Sequence, residues 1–251
     1  MNALRRLSLT VRDLHTCPIL FQEKAHSLKG KKHSSQLWLS RQIKDPYVER
    51  AKQENYRCRS AFKLLEIDER FNLLKPGHIV IDCGAAPGSW TQVAVKKTNA
   101  DGKTNDPMGT VLAIDKLSIY PIEGASILSR MDFTNSLSQI ELLKLLNNKK
   151  ADIVLSDMAP NATGVKHLDH ENIIKLVYSA MRFAMQVTKT GGLFLCKLWD
   201  GEMSQQLQKD LLRFYKTVKI IRPQATRSES AEQFFLAKDF RGIKSTASST
   251  M

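Results

Sequence analysis

The chain has 251 residues, a mass of 28.4 kDa, a formal net charge of +13 and a pI near 9.6. This length accommodates one catalytic domain with extensions. The excess of positive charge predicts an anionic partner, with nucleic acid as the leading candidate. No apolar run approaches the ~20 residues needed to span a bilayer, which argues against a membrane-embedded protein.

The first 43 residues carry eight basic side chains against two acidic ones, a net charge of +6. An Arg-rich, Ser-containing and acid-poor segment with an amphipathic start is typical of a mitochondrial transit peptide. A disordered RNA-binding arm, or a nuclear signal at residues 29–32, is the alternative. We therefore interpret residues 1–35 as a transit peptide or disordered basic arm, and we expect order from about Gln36.

Short apolar runs alternate with amphipathic stretches along the rest of the chain. Apolar spacing predicts a helix at 60–67, ended by Lys75-Pro76-Gly77, and then a first strand at 78–81. The later predicted strands are 110–115, 127–132, 151–157, 192–197, 217–221 and 233–237. The predicted helices among them are 137–146, 171–187 and 203–215. This alternation predicts a parallel sheet whose carboxyl edge carries the site, with the last two strands forming an antiparallel pair.

A glycine-rich turn, Asp82-Cys83-Gly84-Ala85-Ala86-Pro87-Gly88, follows the first predicted strand and leads into a helix. Such turns bind nucleotide-like ligands, because glycine allows close backbone approach and a helix N-terminus attracts anions. The turn does not match the Gly-x-Gly-x-x-Gly pattern of dinucleotide-binding folds. The candidate cofactor contacts here are Gly84, Pro87, Gly88, Ser89 and Trp90.

Three later aspartates end predicted strands. Asp115 is placed to hydrogen-bond ribose hydroxyls, which fits either NAD or S-adenosylmethionine, and Asp132 is placed to meet an adenine edge. The alternative for each is an aspartate that caps the next helix. Asp157 opens the loop at which methyltransferases of this architecture meet cofactor and acceptor. That loop lacks the aromatic residue which grips a flipped base.

Two lysines, Lys63 and Lys197, stand in apolar sequence. Either their stems reach through apolar surface to solvent, or the ammonium groups are partly buried near other charges. Neighbouring positive charge and partial burial would lower the pKa of a lysine toward the working pH, so that its neutral amine is available to accept a proton as a general base.

The cysteines Cys17, Cys58, Cys83 and Cys196 form no Cys-x-x-Cys pair, so we predict free thiols. On a strand, Cys196 and Lys197 point to opposite faces, which favours a core position for Cys196 over a nucleophile for base methylation. His167 and His170 have no further His or Cys at ligand spacing, so we predict no metal site.

Four segments in this order resemble the FtsJ (RrmJ-like) family of S-adenosylmethionine-dependent RNA ribose methyltransferases, most closely its mitochondrial large-subunit rRNA members. They are 56–64, 82–90, 156–164 and 194–197. The likeness covers about residues 36–242, the expected methyltransferase domain, and leaves 243–251 as a disordered tail. It implies a Rossmann-like α/β fold: a mostly parallel seven-stranded sheet with one antiparallel strand, and helices on both faces.

The resemblance also implies a catalytic tetrad: Lys63, Asp157, Lys197 and Glu232. Glu232 fits the family pattern Ser-x-Glu-x-aromatic, with Glu229 as the alternative. Phe234 stands where the family commonly has tyrosine, and the loop 99–109 is expanded. Lys197 would be the base, with Asp157 holding its ammonium and orienting the hydroxyl.

The implied activity is 2′-O-methylation of RNA with S-adenosylmethionine, on a uridine in the A-loop of mitochondrial large-subunit rRNA, within a pre-ribosomal particle. The implied location is the mitochondrial matrix, with the nucleus or nucleolus as the alternative. Other candidate functions are a methyltransferase of tRNA or nuclear pre-rRNA, a dinucleotide-dependent oxidoreductase and a non-catalytic RNA-binding protein. We also predict that Arg57 and Arg59 contact phosphates.

Overall fold

The computed structural model describes residues 45–243 of the chain, so the predicted segment 1–35, the start of order at Gln36 and residues 244–251 lie outside it. No helix in the part described is both long and apolar enough to cross a membrane. The helices are α1 (Pro46–Gln53), α2 (Ala61–Phe71), α3 (Ser89–Thr98), α4 (Ser136–Leu146), α5 (Lys166–Val187) and α6 (Ser204–Phe214). The strands are β1 (Ile79–Cys83), β2 (Thr110–Asp115), β3 (Ala125–Ser129), β4 (Ala151–Ser156), β5 (Thr188–Trp199), β6 (Tyr215–Ile221) and β7 (Glu232–Phe240).

All seven strands form one sheet in the order β3-β2-β1-β4-β5-β7-β6. The pairs from β3 through β5 are parallel, and β7 runs antiparallel to both of its neighbours. The predicted fold class is therefore confirmed, including the antiparallel pair formed by the last two strands. Strand order reverses between β1 and β4, and ligands of open α/β sheets bind at such a switch point, outside the carboxyl ends of the strands.

Helices cover both faces of the sheet, as predicted. Side chains of α2 and α3 pack on one face with alternate residues of the central strands, including Leu195 and Phe234. Side chains of α4, α5 and α6 pack on the other face, together with Cys196 and Phe235. Because strand side chains alternate between faces, Lys197 shares the α2 face with Leu195, opposite to Cys196.

Several boundaries differ from the predicted ones. Helix α2 ends at Phe71, before Lys75, because Asn72 adopts a left-handed conformation with φ 49° and returns its N–H to the carbonyl of Asp68. The Asp68 carboxylate then accepts the next two backbone N–H groups. Strand β3 stops at Ser129, so Asp132 lies three residues beyond the strand rather than at its end.

Two further elements, helix α1 and strand β5, also differ from prediction. Helix α1 was not predicted, although Pro46 suits a first helical position because its fixed φ is helical and it needs no N–H partner. Strand β5 begins at Thr188 rather than Gly192, and a register shift between Ala151 and Ile153 of β4 accommodates the longer strand.

Candidate active site

Two buried ion pairs occupy the carboxyl edge of the sheet. The Lys63 Nζ lies 2.5 Å from Glu232 Oε1, and the Lys197 Nζ lies 2.7 Å from Asp157 Oδ1. None of the four side chains is more than 18% exposed. They come from α2, the end of β4, β5 and the first residue of β7, so the fold brings together four residues that span 170 positions of sequence.

The register of the antiparallel strand explains how the two pairs become neighbours. Trp199 of β5 lies opposite Glu232 of β7, and Lys197 lies opposite Phe234. Lys63 in turn sits 6.0 Å from the centre of the Phe234 ring. The start of β7 therefore meets the end of β5, which places Glu232 on the same edge as Asp157 although its strand runs the other way.

Asp157 contacts Lys197 through two of its oxygens. Besides the carboxylate contact, the Lys197 ammonium donates to the Asp157 carbonyl at 2.5 Å. The other carboxylate oxygen accepts a hydrogen bond from the Ser60 hydroxyl at 2.9 Å. The backbone N–H of Asp157 donates to the Cys83 carbonyl at the end of β1. The Ser60 and Cys83 bonds hold Asp157 in place, and Lys197 is held against it by one hydrogen bond and one ion pair.

Glu232, and not its alternative Glu229, lies beside Lys63. Glu232 Oε1 also accepts from the Thr226 hydroxyl at 3.2 Å, while the exposed Glu229 contacts Ser228. The segment before Glu232 is held by Arg222, whose Nη2 donates to the carbonyls of residues 227, 228 and 230. Nothing in the sequence predicts this contribution of Arg222.

A third acid, Asp82 of β1, lies on the β1 side of the site. It is fully buried, and one of its oxygens accepts from the Thr91 hydroxyl at 2.7 Å while the other has no hydrogen-bond partner. Burial is the main cause that raises the pKa of Asp82 to about 7; the nearby charges of Asp157 and Asp115 act in the same direction, and the hydrogen bonds from Thr91 act against it. Three acids at neighbouring strand ends thus interact, which favours a cation over an anion among them.

The glycines of the turn after β1 are required by neighbouring protein. Gly84 has φ +79°, and a Cβ there would lie 2.5 Å from the Met158 side chain and 2.9 Å from its backbone. Gly88 has φ +112°, and a Cβ there would lie 2.7 Å from the Arg57 guanidinium. Neighbouring protein therefore requires glycine at both positions, and the predicted close approach of a cofactor there stays a prediction.

Ser89 and Trp90, the first residues of α3, direct their side chains into the protein. The Trp90 indole N–H donates to the Ser60 carbonyl at 2.9 Å, and its ring lies 5.7 Å from that of Phe234. The Ser89 hydroxyl lies 3.0 Å from the Cys58 sulfur. A cofactor contact from either residue would therefore use its backbone N–H at the start of the helix, where such groups have no helical partner.

The two acids predicted to bind the cofactor differ in setting. Asp115 accepts the backbone N–H of Ala86 at 2.9 Å and of Leu117 at 2.7 Å, which joins the turns after β1 and β2. Asp132 is exposed and accepts both the N–H and the hydroxyl of Thr134, which lower its pKa. An ionised carboxylate has about four acceptor positions, so each retains capacity for a ligand hydroxyl or amine.

Arg57 and Arg59 have partners inside the protein. The Arg57 guanidinium donates to the carbonyls of Pro87, Tyr120 and Pro121, each at 2.8 Å. Arg59 donates to the Ala225 carbonyl, and its guanidinium lies 5.5 Å from the centre of the Tyr47 ring. The phosphate contacts predicted for these residues thus compete with bonds to segments 30 to 166 positions away.

The cysteines of residues 45–243 and His170 lie in surroundings that suit a structural role. Cys58, Cys83 and Cys196 are free thiols whose pKa values are raised by burial, so they are poor nucleophiles near neutral pH. His170 donates from Nδ1 to the Trp199 carbonyl and accepts the Met203 N–H at Nε2. Within the same residues, no three His, Cys, Asp or Glu side chains are grouped as metal ligands.

Comparison of the sequence with known proteins identifies the family of this chain. The FtsJ-like methyltransferase model matches residues 56–240. The mitochondrial rRNA methyltransferase 2 of Drosophila melanogaster is 51% identical over 222 residues, covering 88% of this chain and 89% of the relative. Ribosomal RNA large subunit methyltransferase E of Cereibacter sphaeroides is 46% identical over 215 residues, covering 85% and 87%.

A solved structure shows the same arrangement of the chain. The crystal structure of a Plasmodium falciparum protein described as a ribosomal RNA methyltransferase superposes with a TM-score of 0.64 at 30% identity. The match covers 75% of this chain and all of that one. With the family model spanning most of the described residues, the chain belongs to the FtsJ-like methyltransferase family.

Proposed function

We propose that this protein transfers the methyl group of S-adenosylmethionine to a ribose 2′-hydroxyl of ribosomal RNA. The observation that carries the proposal is the pair of buried lysine–carboxylate contacts, Lys63 with Glu232 and Lys197 with Asp157, at the switch point of a methyltransferase sheet. The relatives from Drosophila melanogaster and Cereibacter sphaeroides, both named as rRNA methyltransferases, support rRNA over tRNA as the substrate. The net charge of +13 suits an RNA partner.

The residues on the β1–β2 side fit S-adenosylmethionine. Backbone N–H groups at the start of α3, which follows Gly88, suit its carboxylate, Asp115 suits its ribose hydroxyls, and Asp132 suits its adenine edge. The interacting acids Asp82, Asp115 and Asp157 favour its positive sulfonium. When bound, S-adenosylmethionine supplies the electrophilic methyl group.

On the acceptor side, Lys197 is the base: its neutral amine takes the proton of the 2′-hydroxyl as the oxygen bonds to the methyl group, and Asp157 pairs with the ammonium that forms. Asp157 holds the Lys197 ammonium through two oxygens and orients the hydroxyl beside it. Lys63, paired with Glu232, keeps a second positive charge at the same edge. Positioned proton transfer of this kind is worth about 10²–10⁴ in rate, and alignment of the reacting atoms supplies much of the remainder.

The finer assignments extend this proposal. The target is a uridine in the A-loop of mitochondrial large-subunit rRNA, methylated within a pre-ribosomal particle in the matrix; the name of the Drosophila relative supports the organelle. Residues 1–35 would direct import, 36–242 form the methyltransferase domain, and 243–251 form a tail. Mapping ribose methylation in cells lacking the protein tests the target. Deleting residues 2–35 tests the import segment, because the shortened chain should no longer reach the mitochondrion. Loss of methylation at a tRNA site, with the A-loop unchanged, would contradict the target.

The catalytic assignment is tested with Lys197→Ala. Because the base acts on the hydroxyl in the transition state, the variant should bind S-adenosylmethionine and RNA nearly as the wild type does. Its single-turnover methylation rate should fall by about 10²–10⁴. Lys209→Ala removes an equal charge from an exposed position of α6 and should methylate normally. Near-normal methylation by Lys197→Ala at neutral pH would contradict this mechanism.

A further inference from the structure

Ser60 occupies the residue before helix α2 but does not cap it. A serine at this position usually accepts a backbone N–H of the first turn, which stabilises a helix by about 1 kcal/mol. Here the Ser60 backbone is helical, with φ −60° and ψ −23°, and its side chain makes no cap bond. The hydroxyl instead donates to Asp157 Oδ2 at 2.9 Å, across 97 residues of sequence. The Ser60 hydroxyl therefore contacts the site instead of making the usual helix-cap bond.

The main chain of Ser60 is held independently. Its carbonyl accepts the indole N–H of Trp90 at 2.9 Å, and Trp90 is only 2% exposed. Trp90 is the second residue of α3, directly after the turn proposed to bind the cofactor. Ser60 thus has a fixed position relative to that turn, and its hydroxyl is directed from a rigid base toward Asp157.

The effect at Asp157 follows from its two oxygens. One faces the Lys197 ammonium at 2.7 Å and the other accepts the Ser60 hydroxyl, so turning the carboxylate would break both contacts. Asp157 is 18% exposed, and water can replace only part of a lost bond there. The other charged groups at this edge are Lys63 and Glu232, which contact each other, and the buried Asp82. Among the contacts described above, Ser60 supplies the hydrogen bond that orients the oxygen turned away from Lys197.

We propose that Ser60 is a positioning residue for methyl transfer, whose hydroxyl holds the Asp157 carboxylate in the orientation that directs Lys197 toward the acceptor hydroxyl. This inference rests on the proposed function, since Ser60 has this role only if Asp157 and Lys197 act on the acceptor hydroxyl. It adds to the proposed machinery a residue that acts through Asp157.

The test compares Ser60→Ala with Ser60→Thr in the full chain. A hydrogen bond to a charged group is the interaction lost in Ser60→Ala, so kcat should fall roughly tenfold while KM for S-adenosylmethionine and for RNA stays within about twofold. Ser60→Thr keeps a hydroxyl at the same place and should recover most of kcat. Loss of the bond to the Asp157 carboxylate should lower the melting temperature of Ser60→Ala by a few degrees, and Ser60→Thr should restore it. Ser136→Ala, at an exposed position that starts α4, is the matched control.

The outcomes separate this inference from the proposed function. Full kcat in Ser60→Ala, with Lys197→Ala inactive, would overturn the role of Ser60 and leave the methyltransferase mechanism standing. Near-normal activity in both variants would overturn the mechanism itself. A raised KM for S-adenosylmethionine at unchanged kcat, or a large fall in melting temperature that threonine does not correct, would assign Ser60 to folding through Trp90 and overturn the positioning role.

Discussion

The two halves of the carboxyl edge of the sheet are held together by different kinds of contact. On the cofactor side, the turns after β1 and β2 are joined mainly through backbone groups: Arg57 donates to three carbonyls and Asp115 accepts two N–H groups. On the acceptor side, the contacts are between charged side chains, Lys63 with Glu232 and Lys197 with Asp157. One half depends on the path of the main chain and the other on four long or ionised side chains.

This difference separates binding from chemistry. A backbone-lined surface changes only when a turn moves, so substitutions there should act on cofactor affinity and on folding. Paired charges respond to the loss of either partner, because the remaining charge stays buried without its neighbour. We therefore expect changes on the acceptor side to lower turnover and changes on the cofactor side to lower affinity.

The largest expected effect comes from breaking the Lys63–Glu232 pair. Lys63→Met or Glu232→Gln alone leaves a buried charge unpaired, so each should lower the free energy of unfolding by about 3–5 kcal/mol. The double variant removes both charges and should recover much of that stability, while methylation stays low. Denaturant unfolding and single-turnover assays of all four proteins measure the two effects. Additive losses of stability would show that the two side chains act independently.

A smaller effect is expected on the cofactor side, from Asp82. Its pKa, raised to about 7 by burial, lies above that of the unfolded chain, so between pH about 4 and 7 the native state keeps a proton that the unfolded state has lost. This group's contribution is complete below pH about 4 and is lost as pH rises through about 7. Between pH 5 and 8 it should lower stability by about 2–3 kcal/mol.

Asp82→Asn has no proton to exchange and should lack this dependence. Unfolding curves at pH 5 and 8 for the wild type and for Asp82→Asn provide the measurement. Asp132→Asn is the control, because Asp132 is exposed and its pKa is lowered. An equal pH dependence in wild type and Asp82→Asn would place the titration elsewhere.

The smallest expected effect separates two roles of Arg57. If it joins the turns after β1 and β2, both Arg57→Ala and Arg57→Lys should weaken S-adenosylmethionine binding about tenfold, because an ammonium cannot bond three separated carbonyls as a guanidinium does. The salt dependence of RNA binding should stay unchanged. Lys116→Ala, an exposed charge removed just after β2, is the control for calorimetry. A Lys variant with normal cofactor affinity, and an Ala variant whose salt slope falls by about 1, would instead support a phosphate contact.

Sequence reasoning located the strands because their signals are local, whereas the four tetrad candidates came from the family resemblance. Apolar runs ending in Asp115 and Asp157 mark strand ends, and parallel strands bring their ends to one edge. The end of α2 at Asn72 was missed because many asparagines do not adopt the left-handed conformation that ends a helix. The displacement of Asp132 from the end of β3 follows from Arg130, which has φ +60° and turns the chain early.

The roles of Ser60 and Arg57 could not be predicted, since each depends on a partner far along the chain. Ser60 before a helix predicts a cap, and only the position of Asp157 in space redirects its hydroxyl. An arginine near a proposed RNA site predicts a phosphate contact, and nothing in the sequence indicates that the carbonyls of Pro87 and Tyr120 converge on it. Polar side chains with several possible partners are assigned by tertiary structure.

The insertion of β7 between β5 and β6 has a consequence for synthesis of the enzyme. Glu232 begins the last strand of residues 45–243, yet that strand lies inside the sheet, so β6 can join the sheet only together with β7. A nascent chain emerging from the ribosome can complete β1 to β4, and with them the proposed cofactor surface, before Glu232 has been translated. On the proposed mechanism, methyl transfer therefore requires that β7 has been translated, because a product that ended before β7 would lack the Glu232 partner of Lys63.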